Sequence, residues 1–386
     1  LLAEAQHINP GAGADGGQKE RKRRRLAAVL IGFDDERPIF GVHLKSGRKS
    51  NFEFHKFSKS LVCKIFLSDE ETWETIQDLA EKLDERLSMT IDMKIAKPFD
   101  LCAMLKSHGW FQLPPFYWDE RTKLLRWATA IDDRPLLLTL SAEDAADEQR
   151  LFISGEFSPA AEEVIRGRVR HILNLDLDLT DFYRRCASHP VLRLTSERGI
   201  GRLMRCETIY EDVFKSICGT NVQWRQAVKM ISNIASIGHA VDGTDYRLFP
   251  TPPQIVAAGE NYLKEVGRVG YRSRYLTALS ERCLAADPQQ MISVVSRLSA
   301  RECRDFFAGF MGIGKVTARY LAALYGHFDE LAIDSLVVNY MREHYFDGKT
   351  PSDGEIRAVY APFDQWQYLA YWMEFIINEG WMPNVD

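Results

Sequence analysis

Cysteine is sparse in this sequence and poorly spaced for chemistry. The seven cysteines, at positions 63, 102, 186, 206, 218, 283 and 303, are odd in number and contain no CxxC or comparable ligand pair. A structural zinc and a disulfide framework are therefore not expected, and the thiols read as reduced and mostly buried. No run approaches 18 continuous apolar residues, so no membrane-spanning helix is expected, and the first residues carry no signal-peptide core. These absences point to a cytoplasmic protein, nucleoid-associated or nuclear according to its source. Positive charge is not in excess either. The formal net charge of -5 excludes a generic nucleic-acid coat, so any DNA surface must be local. The chain begins with Leu1 rather than Met, and the natural N-terminus is expected to lie upstream.

What is present is enough for two or three domains with a sizeable core: 386 residues, 46% of them hydrophobic. Residues 1–25 read as a disordered tail that ends in the basic run Lys19 to Arg25, either a phosphate-binding arm or a solvated flank. Residues 26–93 hold strand-like runs at Leu26 to Phe33, Pro38 to Leu44 and Leu61 to Leu67, with a charged helix near Glu70 to Leu87. They form a small α/β addition of unassigned role. Over 94–176, Leu125, Trp127, Thr129 and Ile131 alternate with a second face, and Leu136 to Leu140 and Leu151 to Ser154 are further apolar runs. This is the pattern of an antiparallel sheet, closed by a helix from about Pro159 to Leu173. Residues 177–386 read as helix throughout, with stripes such as Trp224, Ala227, Val228, Ile231 and Leu369, Trp372, Met373, Ile376. The expected class is α+β.

The richest stretch runs from 303 to 342. Cys303, Phe306, Phe307 and Phe310 fall at i, i+3, i+4, i+7, and Val316, Tyr320 and Leu324 repeat that spacing after the turn Met311-Gly312-Ile313-Gly314. Two helices joined by such a turn form a hairpin. Its glycines permit positive φ, and its second helix opens with free N–H groups that suit a phosphate oxygen, with Lys315 and Thr317 beside them. Such a turn holds a nucleic-acid backbone without reading a base. Asp334 follows, leading into the apolar Leu336, Val337 and Val338. By itself it reads first as a helix N-cap.

Hairpin, short connection, Asp and apolar helix in that order resemble the helix-hairpin-helix DNA glycosylase superfamily. Upstream, Cys206 to Asn221 resembles the helix and polar turn of its 8-oxoguanine enzymes, and Phe249-Pro250-Thr251-Pro252 and Gly270-Tyr271-Arg272-Ser273-Arg274-Tyr275 resemble two further landmarks. The similarity runs from about Pro98 to Trp381. It extends to the sheet domain that precedes the catalytic helices in the 8-oxoguanine and bacterial 3-methyladenine branches. The resemblance implies base excision repair: a duplex carrying a damaged base as partner, a monomer, and base flipping with Tyr271 as wedge. Arg272 and Asn221 would contact the orphaned base, and Gly312, Ile313, Gly314, Lys315 and Thr317 the backbone. Asp334 would stabilise the oxocarbenium-like sugar and activate water. No cofactor is implied beyond a monovalent cation at the hairpin. Nothing after Cys303 can supply the iron-sulfur cluster that some members carry.

Two departures from the family pattern bear on the reaction. Val316 occupies the position of the strand-cleaving lysine nucleophile, and Lys315 lies about 100° away around the helix, so base removal without strand cleavage is expected. A bifunctional glycosylase and lyase using Lys315, or a noncatalytic damage sensor in which Asp334 is only a cap, are the alternatives. Tyr368 stands where the 8-oxoguanine enzymes carry a base-reading glutamine. With Trp372 and Trp110 or Phe111 it forms either plain core or an aromatic pocket suited to a cationic alkylated purine.

Overall fold

A computed structural model of the chain describes residues 25–34, 37–46, 53–57, 60–66 and 88–380, with side chains from Ser88 onward. The basic run up to Arg24 and the helix expected near Glu70 to Leu87 lie outside the described residues. Contacts divide the chain into two compact units, 1–84 and 85–386. The first contains a four-stranded antiparallel sheet in the order β2-β1-β4-β3, from β1 (Arg25–Asp34), β2 (Arg37–Ser46), β3 (Glu53–Phe57) and β4 (Ser60–Phe66). Its register pairs Val29 with Val42 on one side and with Cys63 on the other.

The second unit opens with β5 (Ser88–Ala96), the edge strand of a five-stranded antiparallel sheet. The sheet therefore starts ahead of position 94, because Ser88 to Ala96 pair residue by residue with β9 (Glu148–Glu156). The order is β5-β9-β8-β7-β6, with β6 (Phe116–Asp119), β7 (Leu124–Ile131) and β8 (Arg134–Asp144). The alternation along β7 is real: Leu125, Trp127, Thr129 and Ile131 are all buried. The helix Glu162–Ile172 packs Ile165, Val169 and Ile172 into the core and leads to the helical region. The architecture is α+β, as the sequence indicated.

At the centre of the helical region lies the helix Ile209–Gly219, in which every residue from Ile209 to Cys218 is buried. A one-face stripe could not foresee this, since a helix packed on all sides buries its charged residues too. Glu211, Asp212 and Lys215 are all inside. Two expected stripes shift slightly. In the helix Trp224–Ala235 the buried face is Ala227, Met230, Ile231 and Ile234, and Trp224 stays 40% exposed. In the helix Gln367–Asn378, Leu369, Met373 and Ile376 are fully buried while Trp372 is only partly so. Among the described residues no helix is long and apolar enough to cross a membrane.

Candidate active site

The hairpin forms as its sequence indicates. Ser299 and Glu302 make a reciprocal capping box that starts the helix Ala300–Ala308, and Cys303, Phe307 and Phe310 bury its inner face. The chain turns through Gly312 at φ 91° and re-enters helix at Lys315–Leu324 with Gly314 as N-cap. A Cβ on Gly312 would lie 2.7 Å from the Tyr275 ring, so both dihedral and space demand glycine there. Gly314 faces open space, where the N–H groups of the first turn are unencumbered by a side-chain cap. Gly312→Ala is therefore expected to weaken binding to duplex DNA severalfold and to lower the melting temperature. Gly314→Ala should affect binding more than melting. Fluorescence anisotropy and thermal melts of the two variants check this.

Tyr275 joins the hairpin to the next group of residues. Its ring meets Tyr271 edge-on at 6.0 Å, and the Arg274 guanidinium lies 4.8 Å over it and donates to its hydroxyl at 2.9 Å. Tyr271 is 50% exposed, and its hydroxyl accepts from Asn221 Nδ2 at 3.5 Å. Asn221 itself sits at φ 51°, a conformation its side chain tolerates better than most. Asn221, Tyr271, Tyr275 and Gly312 thus form one ridge from three separate segments, with Asn221 and Tyr271 exposed and Tyr275 and Gly312 half-buried. Arg272 departs from expectation. It is 5% exposed, donates to the carbonyls of Thr220 and Val269, and lies under the Tyr271 ring at 4.6 Å. It ties the Asn221 turn to the Tyr271 turn and presents no free edge to a base.

Asp334 caps the helix Ser335–His344: its Oδ1 accepts from Leu336 N at 2.9 Å and Val337 N at 3.0 Å. The cap occupies one oxygen only. No described group donates to Oδ2, and the residue is exposed. Its charge is felt by the buried Tyr368 and Tyr371, whose hydroxyls are pushed far above the usual phenol range, by burial first and by neighbouring charge second. Tyr368 is itself only 3% exposed.

Behind them lies an aromatic cluster. Tyr320, from the second hairpin helix, bonds His108 Nε2 at 2.9 Å. The His108 ring meets Trp110 at 5.6 Å and Trp372 at 6.4 Å, and Trp372 Nε1 donates to Ser107 O at 2.8 Å. Trp110 and Trp372 thus both meet His108, and Tyr371 links Tyr368, at 6.3 Å, to Trp372, at 6.5 Å, while Trp110 and Tyr368 are each only 3% exposed. Phe111 does not join the cluster; its ring packs edge-on against Trp118 at 6.3 Å. His108 and Tyr320 were not foreseen as site residues. Each looks like ordinary core filler until 212 positions of chain separation are closed by one hydrogen bond.

Burial drives the His108 pKa down to about 3, so the ring is neutral at working pH. With a folded pKa below the unfolded value near 6.5, stability is fully present above pH 6.5. It falls as the pH drops from 6.5 toward 3, by ~1.4 kcal/mol per pH unit for one proton. His108→Gln should flatten this part of the stability-against-pH curve relative to wild type, as read by urea unfolding at pH 7, 6, 5 and 4.

One further charge lies behind the cluster. Lys215 Nζ pairs with Glu211 Oε1 at 2.6 Å, with side-chain exposures of 0% and 4%. The ammonium also lies over three rings: Trp110 at 5.5 Å, Phe116 at 5.4 Å and Phe249 at 5.2 Å. Burial pushes the Glu211 carboxyl up to about 7 against the pull of Lys215. Burial also opposes the ammonium, but the acidic neighbours Cys206, Glu211 and Asp212 outweigh it and hold Lys215 above its ordinary value, so it stays charged. A separate cavity of about 290 Å3 opens beside Glu207, Glu211, Phe249 and Met291. None of the expected site residues lines it.

No family model matches the chain. Over 194 residues it is 26% identical to DNA-3-methyladenine glycosylase 2 of Escherichia coli, an alignment that covers 50% of this chain and 65% of that protein's length, just under two thirds. Over 250 residues it is 24% identical to a probable N-glycosylase/DNA lyase of Methanothermobacter thermautotrophicus, covering 59% of this chain and 76% of the relative. Among solved structures, a 3-methyladenine DNA glycosylase from Archaeoglobus fulgidus matches with a TM-score of 0.60 at 20% identity, covering 75% of this chain and 98% of that one. At that identity the likeness is one of fold.

Proposed function

Because this chain belongs to the helix-hairpin-helix DNA glycosylase superfamily, we propose that it is a DNA N-glycosylase that flips a damaged purine from duplex DNA and hydrolyses its glycosidic bond. The observation that carries the reading is Asp334: an exposed carboxylate with one oxygen fixed by two backbone N–H groups and the other uncommitted. A fixed carboxylate against C1′ stabilises the sugar as it gains oxocarbenium character and orients the attacking water. The backbone donors keep Oδ1 in place, so little reorganisation is needed as charge develops.

The ridge supplies the other half. The first turn of the hairpin helix holds a phosphate, and Tyr271 fills the gap left by the extruded nucleotide. Asn221 reaches the orphaned base, and Arg272 serves by fixing the two turns against each other. The reaction so written needs no cofactor. Lys315 lies in the first turn of its helix, exposed, and acts as a phosphate partner; the neighbouring Val316 offers no amine, so the strand is left uncut.

The test is base release from duplexes each carrying one lesion (a stable 3-methyladenine analogue, 1,N6-ethenoadenine, hypoxanthine, uracil or 8-oxoguanine), developed with and without alkali. Release that gives strand breaks only after alkali is the expected result. Breaks without alkali would move the reaction to Lys315, and tight binding with no release of any base would make the protein a damage sensor. Binding should also weaken steeply with salt through its phosphate contacts.

A further inference from the structure

Lys215 and Glu211 form a buried charged pair near the aromatic cluster that the reaction described above does not use. The ammonium is fully buried, held by the Glu211 carboxylate at 2.6 Å. Its placement is also directional. The ammonium lies over the rings of Trp110, Phe116 and Phe249, so the positive end of the Glu211–Lys215 pair is turned toward Trp110.

We propose that Lys215 is a specificity-determining residue: its buried ammonium behind Trp110 favours departure of a neutral purine bearing carbonyl acceptors over that of a cationic alkylated one. The proposal rests on the glycosylase reading and names its substrate class. When the glycosidic bond of a neutral base breaks, the electron pair stays on the base nitrogen and negative charge grows there. Water's oxygen bonds to C1′, and the proton that water sheds ends on the departing base. A positive charge behind the base stabilises that transition state. A base that is cationic beforehand leaves as a neutral molecule; it gains nothing from the ammonium and is repelled by it while bound. Two buried nitrogens agree with this. Trp110 Nε1 and His108 Nδ1 have no hydrogen-bond partner among the described residues, and an indole N–H can only donate. A carbonyl on an inserted base is the partner such a donor requires. The aromatic content alone suggested the opposite preference, since rings without a cation behind them attract positive charge.

The experiment compares single-turnover release of hypoxanthine, which is neutral, and 7-methylguanine, which is cationic, from otherwise identical duplexes. Wild type is measured beside Glu211→Gln, Lys215→Arg and the double variant Lys215→Met/Glu211→Gln, each with a thermal melt. The double variant is expected to raise the ratio of cationic to neutral release a few-fold: it removes both charges of the pair, whose combined field at a base beyond Trp110 is weaker than that of one unit charge. Glu211→Gln, which leaves the ammonium uncompensated, should move the ratio the other way, and Lys215→Arg should keep it. Those opposite shifts cannot come from a general loss of packing, so a low-melting double variant still leaves a decisive measurement. A ratio unchanged in both Glu211→Gln and the double variant would overturn the proposal while leaving the glycosylase reading intact. Wild type that releases neither base nor any other lesion would overturn both.

Discussion

Asp334→Asn should abolish most base release, by ~10²–10⁴-fold in the single-turnover rate, while leaving the melting temperature nearly unchanged. The two halves of this expectation follow from the two oxygens. Asn is as good an N-cap as Asp, so the bonds from Leu336 N and Val337 N survive and the helix Ser335–His344 keeps its start. What is lost is the negative charge at C1′ and the group that orients water. Asp334→Ala removes both, and adds a stability loss of about 1 kcal/mol for the missing cap. If Asp334 were only a cap, the ranking would reverse: Asn would be silent in activity, and Ala would act through stability alone. Rates and melts on the three proteins separate these cases.

The second large effect is on stability. Lys215→Met is expected to cost ~3–5 kcal/mol, because it strands the Glu211 carboxylate in the core with 4% exposure. For a unit of this size that is a fall in melting temperature on the order of 10 °C. Adding Glu211→Gln should recover much of it, since a neutral amide costs far less to bury than an unpaired carboxylate. The double variant being more stable than the single one is the diagnostic result. Equal melting temperatures would mean that the pair is not coupled in the folded protein.

Legibility in the sequence followed locality. The hairpin was readable because its determinants are neighbours: an apolar stripe on each helix and two glycines within one short segment. The sheet was readable from the alternation along β7, although its first strand, Ser88 to Ala96, was assigned to the preceding segment. That strand is an edge whose partner, β9, lies far along the chain. Asp334 and the Asn221 and Tyr271 ridge were identified by order of motifs. The burial of Arg272 was not readable, since an arginine beside an exposed tyrosine gives no local sign that two backbone carbonyls will bury it.

The sequence by itself determined the α+β class, the hairpin with its glycine turn, and a carboxylate at the head of an apolar helix. Each depends on hydrogen bonds and side-chain periodicity within a few turns of chain. Only the tertiary structure decided which aromatics meet. It joined His108 to Tyr320, drew Trp372 to Ser107, left Phe111 outside, and set Lys215 behind Trp110. Those contacts join residues far apart in the chain, and their strength comes from exclusion of water. A linear pattern records neither.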